Sequence, residues 1–471
     1  MAAEEAKGSE RGKFVEGTDG ACGDNDKFMV FEKWLLDNGA KFPKLELRDY
    51  GDEVRGCHAG QDVGEEEVII EIPLRCLITV EMGKDTDIGR AILSSNIELD
   101  APKHIFLMVF MLLDRKNPKS FFAPYYDILP PTLNNMPIFW TPAELAHLQG
   151  SYMITQIEER NAAIEADYAA ICKLVPKFSS ISTLEEFKWA RMCACSRNFG
   201  LIINGLRTAA LVPYADMLNH YRPRETKWQF EDSIQGFTIT SLQHIGAGAQ
   251  VYDSYGQKCN HRFLLNYGFS VEHNIEPDGF CPNETPLLLQ LKRTDTLYDH
   301  KCTYWRRDGS LPSKRVRVCV ADNDNTRIML AMLRIIEADQ VDLDALVRIT
   351  GNSTYRSIRD AQMAISIRNE IKAMTHLEAL CTEHLSKYSS TFEADCEAIS
   401  SGRLPPFSNE IHARIQVRGE KEVLLFYKDF AAFALQLLRI EDPQTFHDSL
   451  ESLRQTKHPM LYQYCRSTIL R

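Results

Sequence analysis

The chain of 471 residues has no long hydrophobic run, no CxxC pair and no excess of basic residues. Its longest apolar segment is the nine residues from Ile105 to Leu113, whereas a helix that crosses a membrane needs about 20. We therefore expect no membrane span, and a buried helix at this segment. Among the 13 cysteines, the close pair Cys193 and Cys195 lacks the further ligands that a zinc site needs. We expect reduced thiols and no metal.

The charge balance also excludes a class of partner. A formal net charge of -11 does not favour the basic stripe that neutralises nucleic-acid phosphates.

The pair Gly246 and Gly248 lacks the third glycine and the helix pattern of a dinucleotide-binding loop. Residues 1–25 combine glutamates with glycines and have no apolar core of a secretory signal, so they predict a disordered acidic tail. The expected location is cytoplasmic, nuclear or both.

The remaining sequence predicts a large core in two or three domains, because 44% of the residues are hydrophobic. The apolar run from Val68 to Pro73 predicts a strand, and Phe237 to Thr240 alternates as in a strand with one solvated face. Thr141 to Glu144 and Thr183 to Glu186 are capping boxes, and each of them predicts the start of a helix. From about residue 286 the apolar residues follow a helical period.

Three short segments carry the functional signal: Asp216 to His220, Tyr252 to Gly256, and Asn266 to Phe269. In this order they resemble the C-terminal half of a SET domain. The resemblance is most specific to the Rubisco large-subunit methyltransferase-like family of S-adenosylmethionine-dependent protein methyltransferases, whose relatives include the actin-histidine methyltransferase.

The resemblance implies an α+β fold and a domain order. A knotted, β-rich SET domain is expected over residues 26–285, with a helical insert at about 95–190. An all-α substrate-binding domain of the Rubisco methyltransferase type is expected over residues 286–471. It also implies S-adenosyl-L-methionine as the cofactor and a protein substrate. We expect a monomer that binds no nucleic acid.

The same resemblance assigns residues to the cofactor. Asn219 and His220 match a pair that contacts it in SET enzymes, and Asp216 matches an acidic position beside that pair. Ser196 and Arg197 match a Ser-Arg pair, in which the arginine can hold the cofactor carboxylate.

Glu53 and Arg55 lie where this family has a Glu-Gly-x-Gly loop close to the cofactor, and they are expected to contact it. Val54 replaces the first glycine of that loop. Because valine resists positive φ, the loop is expected to depart from the family geometry.

The acceptor side is led by Tyr255, which matches the SET tyrosine whose hydroxyl faces the transferred methyl group. Tyr252 and Tyr267 resemble tyrosines of the channel wall. Methyl transfer needs the acceptor nitrogen at about 3 to 3.5 Å from the methyl carbon. A lysine acceptor must also lose a proton, and an apolar channel favours this by desolvating the ammonium.

Two further positions bear on the acceptor. The actin-histidine methyltransferase has an asparagine where this chain has Phe199, and a tryptophan where this chain has Ala215. Both differences favour a lysine as the acceptor. The expected substrate is a protein other than Rubisco, because the acidic N-terminus does not support entry into a plastid. Histidine methylation and a catalytically silent SET-like binding module are the alternatives.

Overall fold

A computed structural model of the chain describes residues 25–51, 54–305, 312–350, 356–454 and 459–469. The predicted tail therefore lies outside the described residues, apart from Asn25, where the first helix begins. Glu53 lies outside them as well. No helix among the residues described here is long and apolar enough to cross a membrane.

The chain divides into two compact units. The first comprises residues 1–133 and 163–255, and the second comprises residues 134–162 and 256–471. This division by internal contacts places Tyr255 at the end of the first unit and Tyr267 in the second. The domain bounds drawn from the sequence are different and stay a prediction.

The first unit is built of short strands with helices between them. Its strands are β1 (Leu45–Gly51), β2 (Val54–Ala59), β3 (Val68–Pro73), β4 (Ile78–Thr79), β5 (Asn198–Ile203), β6 (Leu206–Leu211), β7 (Asn219–His220), β8 (Thr226–Glu231), β9 (Gly236–Ser241) and β10 (Gln250–Asp253). The helices that begin before residue 198 are α1 (Asn25–Asp37), α2 (Val80–Lys84), α3 (Asp87–Leu93), α4 (Pro102–Asp114), α5 (Ala123–Ile128), α6 (Pro142–Leu145), α7 (Met153–Leu174), α8 (Phe178–Ile181) and α9 (Leu184–Arg197). Of these, α6 and the start of α7 lie in the second unit.

These strands form three small sheets, with the orders β1-β2-β10-β7, β3-β9-β8 and β4-β6-β5. Most neighbours are antiparallel, but β10 and β7 run parallel. Strands before and after the helical segment share every sheet, so the predicted discontinuous β domain is confirmed.

The two capping boxes and the apolar segment identified in the sequence lie in helices, as predicted. Thr141 and Thr183 cap α6 and α9 through reciprocal capping boxes with Glu144 and Glu186. The nine-residue apolar segment lies within α4, which is buried against α2 and α9 on most of its faces.

One prediction about the sheets is wrong. Strand β9 was expected to have one solvated face, but all six of its residues are buried. It is the central strand between β3 and β8, and the Thr238 hydroxyl is satisfied at 3.3 Å from Oε1 of Glu231. A threonine that finds its partner in the interior therefore contributed to an alternation that resembles a solvated face.

The second unit is mainly helical. Besides α6 and the start of α7 it contains α10 (Asn260–Tyr267), α11 (Tyr298–Trp305), α12 (Asp324–Glu337), α13 (Gln340–Thr350), α14 (Ile367–Leu385), α15 (Phe392–Ser400), α16 (Asn409–Leu438), α17 (Pro443–Arg454) and α18 (Pro459–Ile469). The apolar stripes predicted from residue 286 onward lie in α12 and α16, which contribute to one core.

The expectation of an all-α C-terminal part needs one correction. Strands β11 (Glu284–Gln290) and β12 (Ser313–Cys319) pair antiparallel and cover this core with the side chains of Leu287, Leu289 and Val316. The run before Gln290 is too short and too apolar for its period to separate a strand from a buried helix.

Candidate active site

The parallel pairing of β7 with β10 brings two of the sequence segments together. It places Asn219 beside Tyr252 and His220 beside Asp253. Parallel neighbours need a long connection, which here contains the β8–β9 hairpin. Residues of the predicted cofactor side and acceptor side therefore share one edge of the sheet.

Tyr255 is held by the Asp216 to His220 segment at both ends of its side chain. Its backbone N–H donates to Nδ1 of His220 at 3.0 Å, and its hydroxyl donates to the carbonyl oxygen of Leu218 at 2.9 Å. The His220 and Tyr255 rings stack with their centroids 5.2 Å apart. Since the hydroxyl proton goes to Leu218, the phenolic oxygen can act toward any further group only as a hydrogen-bond acceptor.

A buried charge cluster lies next to this segment. Oδ2 of Asp216 accepts from the Tyr125 hydroxyl at 2.8 Å and from Nη1 of Arg197 at 3.0 Å. The Asp216 side chain is fully buried. Arg55 contributes a second guanidinium, whose Nη1 donates to the carbonyl oxygen of Ile128.

Burial and neighbouring charges shift the pKa of both guanidinium groups. Burial, and after it the nearby positive charge of Arg197, lowers the pKa of Arg55 to about 10. Burial also disfavours the charged form of Arg197, but the carboxylate of Asp216 outweighs this and raises the Arg197 pKa. The cluster therefore holds two cationic groups against one carboxylate.

Three polar atoms of this cluster are buried and have no hydrogen-bond partner in the part of the chain that the structure describes: Nη2 of Arg55, Nε of Arg197 and Oδ1 of Asp216. Buried polar atoms are normally paired, so such atoms indicate a place for a ligand or water. Two N–H donors of positive charge fit an anionic group such as a carboxylate, and Oδ1 fits a donor.

Asn219 belongs to a second network. Its Nδ2 donates to the carbonyl oxygen of Arg55 at 2.8 Å and to Oε1 of Gln250 at 3.1 Å. Nε2 of Gln250 donates in turn to the Tyr50 hydroxyl at 2.8 Å. Both protons of the Asn219 amide are thus used, which leaves its Oδ1 to accept from a ligand.

Close packing explains the glycine in the middle of this network. A Cβ added at Gly56 would lie 2.6 Å from the Tyr50 hydroxyl and 2.7 Å from Nε2 of Gln250. Val54, by contrast, is the first residue of the regular strand β2 and pairs with Gly51. The valine is accommodated as a strand residue, so it adds no requirement for positive φ.

We expect Gln250→Leu to weaken cofactor binding by about tenfold, because the Asn219 amide would lose one of its two hydrogen bonds and keep only the one to the Arg55 carbonyl. Isothermal titration calorimetry with S-adenosylmethionine measures this. Gln229→Leu, on the exposed side of β8, is the matched control and should bind normally. Equal affinities for both variants would remove Gln250 from this role.

Not all of the residues predicted for the site are seen in it. The Ser196 hydroxyl donates back to the carbonyl oxygen of Met192 at 2.8 Å, within its own helix. Phe199 packs edge-on against Trp228 and Phe237, and Ala215 is 1% exposed in a short 3₁₀ turn. Their roles at the acceptor or the cofactor stay predictions.

Tyr267 is described within the second unit, where it ends α10. Its ring lies 6.3 Å from that of Phe263 and 6.2 Å from that of Phe269. Its position in a channel wall also stays a prediction.

The sequence interpretation missed three residues. Tyr125 and Gln250 lie far along the chain from the groups that they bond, so no local spacing indicates them. Tyr214 precedes the 3₁₀ turn with φ of 75°, is fully buried and stacks on Phe42 at 4.0 Å. A positive φ is unfavourable for tyrosine, and such strain is concentrated at functional sites.

Comparisons with known proteins bear on what this site does. A family model described as Rubisco LSMT substrate-binding matches residues 292–424. The actin-histidine N-methyltransferase of Gallus gallus is 26% identical over 415 residues, which cover 85% of this chain and 68% of that protein. The enzyme of Homo sapiens is 26% identical over 414 residues, covering 85% and 67%.

Solved structures agree in fold. The SET domain of LSMT bound to lysine and AdoHcy matches with a TM-score of 0.73 at 21% identity, over 94% of this chain and 99% of that one. Rubisco LSMT bound to AdoMet matches with a TM-score of 0.72 at 22% identity, over 93% and 99%. The SET fold predicted from the motifs is confirmed.

Together these findings support an LSMT-like SET-domain protein methyltransferase. Within that class the chain is LSMT-like, because the matched substrate-binding model lies in its helical C-terminal part. The family resemblance that was drawn from the three motifs is thereby confirmed.

Proposed function

We propose that this protein transfers a methyl group from S-adenosylmethionine to the side-chain amine of a lysine in a protein substrate other than Rubisco. The observation that carries the proposal is the fixation of Tyr255 by His220 and Leu218, next to a cationic cluster with unpaired N–H groups. The cytoplasm, the nucleus or both are the proposed locations.

The cationic cluster would hold the amino-acid end of the cofactor. Arg55 and Arg197 would donate to its carboxylate, which balances the second positive charge of the cluster. Oδ1 of Asn219 would accept from the amino group of the cofactor, because both N–H groups of that amide already donate within the protein. When bound, the cofactor supplies an electrophilic methyl carbon on its sulfonium sulfur.

Tyr255 would act at the acceptor. With its proton donated to Leu218, the phenolic oxygen accepts an N–H of the incoming amine and directs the nitrogen lone pair at the methyl carbon. Positioning of this kind requires no covalent intermediate on the protein and no metal. It depends on the hydroxyl being fixed, which the hydrogen bond to Leu218 achieves.

Lysine is preferred over histidine on chemical grounds. Phe199 is apolar and Ala215 is small, whereas the actin-histidine methyltransferase has an asparagine and a tryptophan at these two positions. An apolar surface suits an alkyl stem and lowers the pKa of a lysine that enters it, since desolvation disfavours the ammonium. The names of the curated relatives favour protein-histidine methylation as the second candidate.

The test is to incubate the purified protein with radiolabelled S-adenosylmethionine and a protein extract, followed by complete acid hydrolysis and amino-acid analysis. We expect label in methyllysine. Label in methylhistidine alone would replace the lysine proposal by the histidine one. No label, together with no heat of cofactor binding in calorimetry, would indicate a silent SET-like binding module.

A further inference from the structure

We propose that the second unit binds a zinc-type divalent cation through Cys259, His261 and Glu284. These residues offer a thiol sulfur, an imidazole nitrogen and a carboxylate oxygen, which all lie within 4.8 Å of one another. Sulfur, nitrogen and oxygen donors of these types are the ligands that zinc takes in proteins. The cluster takes no part in the site of methyl transfer proposed above.

The spacing of the donor atoms fits a tetrahedral ion. Sγ of Cys259 lies 3.6 Å from Nε2 of His261, and that nitrogen lies 3.8 Å from Oε1 of Glu284. Zinc–ligand bonds of about 2.0 to 2.3 Å at tetrahedral angles separate neighbouring donor atoms by roughly 3.3 to 3.6 Å. Shifts of a few tenths of an ångström would bring these two pairs to that spacing, and the third pair, Sγ of Cys259 and the Glu284 carboxylate, lies within 4.8 Å.

Hydrogen bonding alone does not account for this arrangement. The separation of Nε2 of His261 from Glu284 exceeds hydrogen-bond distance. Arg317 Nη1 forms an ion pair with that carboxylate at 3.6 Å, which is also too long for a hydrogen bond. Three groups with lone pairs therefore converge. The Cys259 thiol has one proton, and both His261 and Glu284 lie within its hydrogen-bonding reach. A cation would satisfy all of them.

The fold holds the ligands on two different elements. Cys259 is the N-cap residue of α10 and its side chain makes no capping bond, while His261 lies in the first turn of that helix. Glu284 is the first residue of β11. Bound metal would thus fasten the start of α10 to the start of β11.

Access and coordination number follow from burial. Cys259 is 5% exposed and His261 is 6% exposed, whereas the Glu284 side chain is 24% exposed. A metal would enter on the side of the carboxylate, and the fourth position would take water. The sequence alone did not indicate the site, because Glu284 lies outside any short cysteine–histidine motif.

The experiment uses the full chain, stripped with chelator and titrated with Co²⁺ and then Zn²⁺. We expect one Co²⁺ per chain with a thiolate-to-cobalt charge-transfer absorption, its displacement by Zn²⁺, and a higher melting temperature with Zn²⁺. Cys259→Ser should lose the absorption. Glu284→Gln, which preserves the shape of the side chain, should weaken binding by more than the roughly 10–100-fold typical of lost outer-shell partners.

Cys396→Ser is the control, since that half-buried cysteine lies in α15 of the same unit and should leave metal binding unchanged. Absence of the absorption in the wild type would overturn the proposal. So would equal metal binding by the wild type and both site variants, which would mean an adventitious ion only. The binding readouts do not depend on methyl transfer, so failure of the proposed function would not affect them.

Discussion

Tyr255→Phe should reduce the turnover of methyl transfer by about 100-fold or more, the typical loss when a preorganised polar group at the reacting atoms is removed. The hydroxyl donates to the Leu218 carbonyl, while the backbone N–H of the same residue keeps its bond to His220. The ring and the loop should therefore remain in place. Cofactor affinity, measured by calorimetry, should stay close to that of the wild type.

Tyr168→Phe provides a matched control for this substitution. Its hydroxyl also donates to a backbone carbonyl, that of Ser182, at 2.8 Å and in the same unit, but outside the charge cluster and the β7–β10 edge. It should leave turnover unchanged. If the two variants lost activity equally, or if Tyr255→Phe turned over normally, Tyr255 would have no role at the acceptor.

Asp216→Asn should lower the free energy of unfolding by about 3–5 kcal/mol, as expected when one partner of a buried ion pair is neutralised. The Asp216 side chain is 0% exposed and that of Arg197 is 17% exposed, so solvent screens the pair only weakly. The variant would leave the guanidinium groups of Arg55 and Arg197 facing each other without a carboxylate. Urea denaturation measures the change.

Two comparisons separate this effect from a general cost of losing a charge. Asp87→Asn breaks an ion pair with Arg90 whose side chains are 76% and 60% exposed, and it should change stability by less than about 1 kcal/mol. With Arg197→Met already present, Asp216→Asn should cost clearly less than in the wild type. Equal losses at Asp87 and Asp216 would contradict a buried charge cluster.

The sequence was informative where a residue's role is set by its neighbours in the chain. The capping boxes at Thr141 and Thr183 formed because the N-cap and the residue three positions later satisfy each other's backbone groups. The motif residues Asn219, His220 and Tyr255 lie together in the structure. The family motifs predicted this, whereas hydrophobic periodicity carries no information on contacts between distant residues.

The sequence was less informative where partners come from distant elements. Tyr125 bonds Asp216 from a helix that, read alone, is only an aromatic segment beside a proline. The burial of Thr238 could not be read from its polarity, because its hydroxyl is satisfied across the sheet by Glu231. Glu284 became a ligand candidate only when β11 placed it beside α10.

The hydrogen bond from Asn219 to Arg55 joins residues 164 positions apart, and that from Tyr125 to Asp216 joins residues 91 apart. Closing a long loop costs entropy before the contact repays it. We therefore expect the active site to be among the last parts of the first unit to form during folding. Under this expectation, methyl transfer by a refolding chain would begin only after the whole first unit has reached its native state.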